Sequence, residues 1–283
     1  MKSPGVCAGF GPHRGKVGAL DNWTRGNVKL PFKPVKYLLC AALVLAAAGA
    51  LRAQQPDSAA WVPFQVGEKL YFSVNWSVGN IGNAHMYVTA IDSFRGQPCY
   101  RIEAGASSNK TIDLFYPVRD YFLSLIDLRK LFSRKFVKRQ KEGRTVNERQ
   151  LIYDQERGIR FDLVKGDTVK IVPEAQDELS IFYYFRTLDL RVGEGYLLEN
   201  FVDRAGNPLK VMVLRSEWVE VPAGRFFCFV VEPYIKQGGL FQHKGNLQIW
   251  ITDDQNRIPV KVTSELDFGR IVVLLESFSL GGA

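Results

Sequence analysis

The chain has 283 residues, 46% of them apolar and 23% charged, a balance that suits a globular core and excludes a disordered or fibrous protein. Its formal net charge of +8 is uneven: residues 1–53 hold eight basic residues against the single acid Asp21, and the remainder is nearly neutral. Global charge therefore gives no argument for a polyanionic partner, and no nucleic acid is expected.

The first element is "KPVKYLLCAALVLAAAGALRAQQ". Lys33 and Lys36 precede an apolar run over 38–51, small residues follow to Ala53, and a polar Gln-Gln-Pro comes next. This is the order of a secretory signal peptide. The run is shorter than the about 20 residues that cross the hydrocarbon of a bilayer. Residues 1–53 are thus read as a leader cleaved after Ala53. Residues 54–283 are read as a single exported β-rich domain of the periplasm or cell envelope that does not span the membrane. Cys40 follows Leu39 near the start of the apolar run, which is not where a lipidated cysteine stands. In an oxidising compartment Cys99 and Cys228 either form a bridge or remain as two buried apolar thiols, and the sequence leaves both open.

From Glu68 onward the pattern alternates. Leu70, Phe72, Val74 and Trp76 share one face of a strand, with Tyr71, Ser73 and Asn75 on the other. Glycine turns lead into "AHMYVTAI" and "CYRIEA", opening a β-meander. Strand-like runs recur at "RKFVKRQ", "RQLIYDQ", "LKVMVLRSEWVEV", "RFFCFVVEPY", "NLQIWIT", "IPVKVTSEL" and "RIVVLLESF", divided by turn residues such as Gly143, Gly158 and Gly166. One stretch breaks the period of two: "DELSIFYYFRTLDL" places Asp177 as an N-cap and repeats Leu179, Phe182, Tyr183 and Arg186 at helical spacing. A shorter helix is predicted at "TIDLFYP", ended by Pro117. The expected class is mainly β, a curved antiparallel sheet or incomplete β-barrel packed on one main α-helix. A faint internal echo sets Asp127 and Asp254 each four residues before an apolar residue, Leu131 and Ile258, which suits two similar hairpins in one sheet.

Motifs for chemistry are sparse. There is no nucleophile elbow, zinc-protease helix or complete phosphate loop, so neither a cofactor nor a metal is expected. His85 and His243, the histidines left after processing, have no ligand spacing. Asp253 and Asp254 form an acid pair, but neighbours in a turn point into water, and "TDDQNR" is built of turn-forming residues. Between Arg129 and Arg149 nine basic residues face two acids. Arg134, Lys135, Lys138 and Arg139 are the candidates for binding anionic groups, the alternative being a solvated edge hairpin. Trp76, Phe182, Tyr183, Phe185 and Trp250 are the candidates for lining an apolar ligand cavity, the alternative being ordinary core.

Taken in order, "FQVGEKLYFSVNW", "YPVRDYFLSLID", "DELSIFYYFR", "VEVPAGRFFCFVVEP" and "IWITDDQNRIPVKV" resemble the exported bacterial family known only as domain of unknown function 3108, over about residues 61–279. That resemblance implies an envelope protein with no assigned activity. The layout is also similar to periplasmic lipoprotein carriers of the LolA/LolB kind, whose incomplete barrel wraps an apolar cavity plugged by helix; this is an architectural analogy. The leading expectation is a non-enzymatic protein binding a lipid or other apolar envelope ligand. The alternatives are an adaptor module that binds another envelope protein, and an envelope hydrolase using Asp253 or Asp254.

Overall fold

The computed structural model describes residues 61–77, 79–200, 208–237, 240–243, 247–266 and 269–282. The predicted leader and its cleavage position after Ala53 lie outside the described residues. The first eight strands are β1 (Glu68–Trp76), β2 (Gly79–Phe94), β3 (Gln97–Ser108), β4 (Val118–Asp127), β5 (Ser133–Glu142), β6 (Thr145–Asp154), β7 (Ile159–Asp162) and β8 (Asp167–Lys170). After a crossover come β9 (Gly195–Leu198), β10 (Leu209–Val221), β11 (Gly224–Gln237), β12 (Leu240–His243), β13 (Gln248–Thr252), β14 (Pro259–Leu266) and β15 (Gly269–Leu280). Two short helices join them, α1 (Lys110–Asp113) and α2 (Ser180–Phe185).

All strands belong to one antiparallel sheet in the order β8-β7-β6-β5-β4-β3-β2-β1-β15-β14-β13-β11-β10-β9, with β12 paired to β11. The first and last strands meet in the middle, where Leu70 lies opposite Phe278 and Val74 opposite Val273. From β1 the chain steps outward hairpin by hairpin to one edge. It then crosses to the other edge and works back to the middle. The sheet does not close, because β8 and β9 remain its edges. It does curl: the Ala223 amide in the β10–β11 turn donates to the Leu275 carbonyl at 3.0 Å, although β14, β13 and β11 lie between those strands in the order. Phe226 and Phe278 meet across the same gap at 5.9 Å between ring centres.

Alternation explains the strands legible in sequence. Leu70, Phe72 and Val74 are buried on the inner face, the one that carries α2, while Tyr71 is exposed. It also explains those that were missed. β4 buries both faces over most of its length, so it shows no period of two. Its outward Leu123 and Leu125 pack with Cys99 and Val137, and its inward Phe122 and Ile126 join the main core. Strands β7, β8, β9 and β12 have four residues each, too few for a pattern.

The expected main helix is a correction. Only Ser180–Phe185 is helical, six residues rather than the length of "DELSIFYYFRTLDL". The start is delayed because the Asp177 carboxylate takes the amides of Leu179 and Ser180, both at 2.8 Å, so the chain first makes a capped turn. The end comes early because the Thr187 hydroxyl donates to the Tyr184 carbonyl at 2.7 Å and the next amides bond three residues back. The short helix expected at "TIDLFYP" corresponds to α1, capped by Asn109.

The Cys99–Cys228 bridge does not form in this fold. Cys99 on β3 and Cys228 on β11 are free thiols in separate apolar clusters, with β2, β1, β15, β14 and β13 between them in the sheet. Burial pushes the Cys99 thiol up to about 11 and the Cys228 thiol up to about 12. Because the thiolate is the reactive form, neither should react with a thiol-specific disulfide reagent at pH 8 in the native protein. Both should react within the mixing time once denatured, as followed by released chromophore; rapid native labelling of either position would contradict this packing.

Candidate functional site

The side chain that ties the crossover to the sheet is Arg186, directly after α2. It is completely buried, as is its partner Glu68 at the start of β1. Nη1 donates to Glu68 Oε1 at 2.8 Å and Nη2 to Oε2 at 2.7 Å, a bidentate pair. Nη2 also donates to the Pro63 carbonyl at 3.1 Å and the Asn256 carbonyl at 2.8 Å. The guanidinium lies 5.4 Å from the Phe64 ring centre and 5.1 Å from that of Tyr183. Burial opposes its charge, but the Glu68 carboxylate outweighs that and holds the group protonated.

Asn256 belongs to the hairpin turn of the acid pair. Asp253 and Asp254 are exposed, and Asp254 Oδ1 accepts from Thr252 Oγ1 at 2.8 Å and from the amides of Asn256 and Arg257 at 2.8 and 3.0 Å. The carboxylate orders its own turn, and the turn presents a carbonyl to Arg186. The echo at Asp127 has the same construction, with Oδ1 accepting from the amides of Arg129 and Lys130, both at 3.0 Å.

A second polar junction holds the other end of α2. Asp177 is buried and accepts from Ser124 Oγ at 2.6 Å and from Ser133 Oγ, so the crossover is bonded to β4 and β5. Around it the inner face of β4–β7 is polar: Lys138 pairs with Glu178 at 2.7 Å, Arg149 with Asp162 at 3.3 Å, and Gln140 donates to Asp120 at 2.9 Å. Burial raises the pKa of Asp120 and Asp177, with the hydrogen bonds they accept opposing the shift.

The five aromatic candidates do not share one lining. Phe182, Tyr183 and Phe185 are buried on α2, and Trp76 is half-buried at the end of β1. Trp250 pairs with Lys261 in register, whereas its neighbour Ile249 pairs with Val262, which borders the same space as Phe182; alternation therefore turns Trp250 to the opposite face, where it is still buried within the main core. There its indole donates to Glu217 at 2.7 Å and the Lys261 ammonium sits 4.5 Å from the ring. Among the described residues a space of about 40 Å³ is left between α2 and the sheet, bordered by Phe72, Phe122, Phe182 and Val273. Of the five aromatics, only Phe182 borders it.

The four basic candidates divide in the same way. Lys138 points inward and is buried, whereas Arg139 points outward, exposed and paired with Glu148 at 3.3 Å. Lys135 shares the outward face with Arg139 by alternation. Arg134 stands at the start of β5, bonded to Asp127 at 3.0 Å and Glu156 at 2.8 Å and lying 4.6 Å from the Phe132 ring centre.

Arg134 lines an open cleft of about 580 Å³ shared with Gln97, Asp127, Arg129, Lys130, Gln155, Glu156 and Glu174. An adjoining cleft of about 280 Å³ shares Gln97, Arg134 and Glu156 with it and adds Arg95 and Tyr153. The backbone here is strained. Leu131 and Glu174 have φ of 58° and Arg95 of 53°, left-handed values that cost a non-glycine residue about 1–3 kcal/mol. Of the acids, only Asp127 had a signal in sequence, as one half of the echo; Glu156 and Glu174 come from turns that carry no motif. Among the described residues no cluster of three or more potential ligands could hold a metal, and no helix is long and apolar enough to cross a membrane.

The fold and its junctions define an open antiparallel β half-barrel filled by its own crossover. The family model for a protein of unknown function, DUF3108, matches residues 71–276, and the chain belongs to that family. No curated protein matches it. Among solved structures it is similar to a β-barrel-like protein of domain of unknown function DUF1849 from Brucella abortus, at 10% identity and TM-score 0.52, covering 77% of this chain and 99% of that one. A protein with a YmcC-like fold from Bacteroides fragilis matches at 12% identity and TM-score 0.29, covering 78% and 100%. A DUF1089 family protein from Pseudomonas aeruginosa matches at 13% identity and TM-score 0.34, covering 65% and 90%.

Removing one partner of the central ion pair strands a buried charge. Arg186→Met is expected to lower stability by about 3–5 kcal/mol, and the double variant Glu68→Leu/Arg186→Met to recover most of it, as read by denaturant unfolding. A single variant close to wild type would refute the central role of the pair. Asp120 gives a pH test. Its pKa is raised in the folded state, so its contribution to stability is complete below the unfolded pKa and falls away as pH rises through the folded one. Asp120→Asn should therefore stabilise the protein at pH 7, by about 1–3 kcal/mol for a buried acceptor without a partner, and the gain should shrink towards pH 4.

Proposed function

We propose that this protein is an exported, non-enzymatic binding module of the cell envelope, with a structural interior and a recognition surface at the cleft beside Arg134. The observation that carries this reading is the contrast between two spaces. The concave side, where an apolar ligand would lie, is occupied by Phe182, Tyr183 and Phe185 down to about 40 Å³, while the Arg134 cleft stands open at about 580 Å³.

Energetics favour the same choice. A lipid entering the half-barrel would displace three aromatic side chains, worth about 1.5–3 kcal/mol each in burial, and disturb the packing that holds the Arg186–Glu68 pair. A lipid drawn from a bilayer already has its chains out of water, so it brings no compensating hydrophobic gain. The hydrolase reading loses its acid pair, since the Asp254 carboxylate is engaged in its own exposed turn. Of the readings open in sequence, the adaptor fits best, with Arg129 exposed at the mouth of the cleft to meet a partner's anionic or polar group and Lys130 exposed beside it, paired with Glu174 at 3.6 Å.

A photo-crosslinking residue at Arg129, compared with one at Trp218 on another part of the sheet, tests this in cells. Discrete adducts from position 129 that disappear with Lys130→Glu are expected, with none from position 218. Stoichiometric lipid carried by the purified protein in native mass spectrometry would overturn the filled-interior reading, and equal or absent adducts at both positions would overturn the cleft.

A further inference from the structure

We propose that the end of the sheet opposite the Arg134 cleft docks onto an anionic bilayer surface, through the tips of the β3–β4, β5–β6 and β7–β8 connections. Antiparallel register puts these three connections at one end. Arg119 at the start of β4 lies opposite Ser107 at the end of β3, Glu142 opposite Thr145 across the β5–β6 turn, and Asp162 opposite Asp167 across the β7–β8 turn. The residues of the Arg134 cleft lie at the other ends of these strands or in the connections there.

The tips expose large apolar side chains. Leu114 is 78% exposed, Phe115 83%, Val146 70%, Leu163 59% and Val164 50%. Single exposed apolar residues are ordinary, but five on three successive connections at one end form a surface. They are also held in place. Asn109 Oδ1 accepts from the amides of Thr111 and Ile112 at 3.1 and 3.0 Å, and Asp162 Oδ1 from those of Val164 and Lys165 at 3.1 and 3.2 Å. The Gly143 amide donates to the Pro117 carbonyl at 2.8 Å, joining the first tip to the second, and a side chain at Gly143 would collide with the Tyr116 ring. A collapsing loop would bury its Phe and Leu; these loops are built to keep theirs in solvent.

Charge selects the partner. Lys110, Lys141, Arg144 and Lys165 are exposed on or beside the same connections. Of the acids there, Asp113 is bonded to Arg119, Asp162 to Arg149, and Glu142 is buried, which leaves Asp167 as the exposed one. Separate apolar knobs between cations suit a planar surface whose acyl region admits the knobs and whose headgroups meet the cations. The docking does not depend on the Arg134 cleft as a binding site, and it turns that cleft away from the bilayer.

The test is co-sedimentation of the full chain with vesicles of phosphatidylcholine containing phosphatidylglycerol, and with phosphatidylcholine alone. The expected result is binding to the anionic vesicles that weakens with salt, and at least about a tenfold loss of affinity for Phe115→Ser/Leu163→Ser. Lys141→Glu/Arg144→Glu should also weaken binding and flatten the salt dependence. The apolar leader segment is common to all these chains and cancels in the comparison, and unchanged denaturation midpoints will show that the variants fold. Equal binding by wild type and the Phe115/Leu163 variant would overturn the proposal, as would equal binding to both kinds of vesicle. So would self-association, or capture of a protein partner, that the same variant abolishes while vesicle binding persists.

Discussion

A bidentate ion pair with no solvent access fixes this half-barrel. The crossover must carry the chain from one edge of a wide sheet to the other, and its passage over the inner face could slide unless something registers it. Arg186 supplies that registration, because the directional Nη donors of its guanidinium engage Glu68, Pro63 and Asn256 at once. Apolar packing of Phe182, Tyr183 and Phe185 alone would tolerate rotation of α2. Burying the charges costs solvation, so the pair is better understood as a device for uniqueness than as a source of net stability.

The same interaction accounts for the segments that carry the family resemblance. Glu68 lies in "FQVGEKLYFSVNW", Arg186 ends "DELSIFYYFR", and Asn256 belongs to "IWITDDQNRIPVKV". Their side chains and carbonyls converge on one guanidinium. Ser124 of "YPVRDYFLSLID" meets Asp177 of "DELSIFYYFR" in the second junction. These segments, far apart in sequence, are the parts that hold the crossover in the sheet. The Asp253–Asp254 pair is prominent for the same reason, as the turn that offers Arg186 its carbonyl.

With the interior committed to structure, the two ends of the sheet are left for contact, and they differ. One has a polar cleft with strained backbone and interlocked charges around Arg134. The other has apolar tips with cations between them. A hairpin protein naturally separates such surfaces, because successive turns alternate between the two ends and each end can be varied without disturbing the strands.

The legibility of this protein follows from the range of the interactions involved. Strand existence was readable wherever one face is buried, as in β1, because alternation is local. β4 was not, because whether its second face is buried depends on Leu123, Leu125, Cys99 and Val137 meeting from three strands. The turn at Asp254 was readable from its residues, since an Asx carboxylate bonds its own backbone. That alternation would part Lys138 from Arg139, and Trp250 from Ile249, was also present in sequence, but which face of each strand would be inner was not. That choice was made by the crossover, through Arg186 on Glu68 and Asp177 on Ser124, contacts that join residues far apart in the chain. The sequence by itself determined an antiparallel sheet with short turns; only the tertiary structure decided that the sheet's hollow would be filled by the chain's own aromatic side chains.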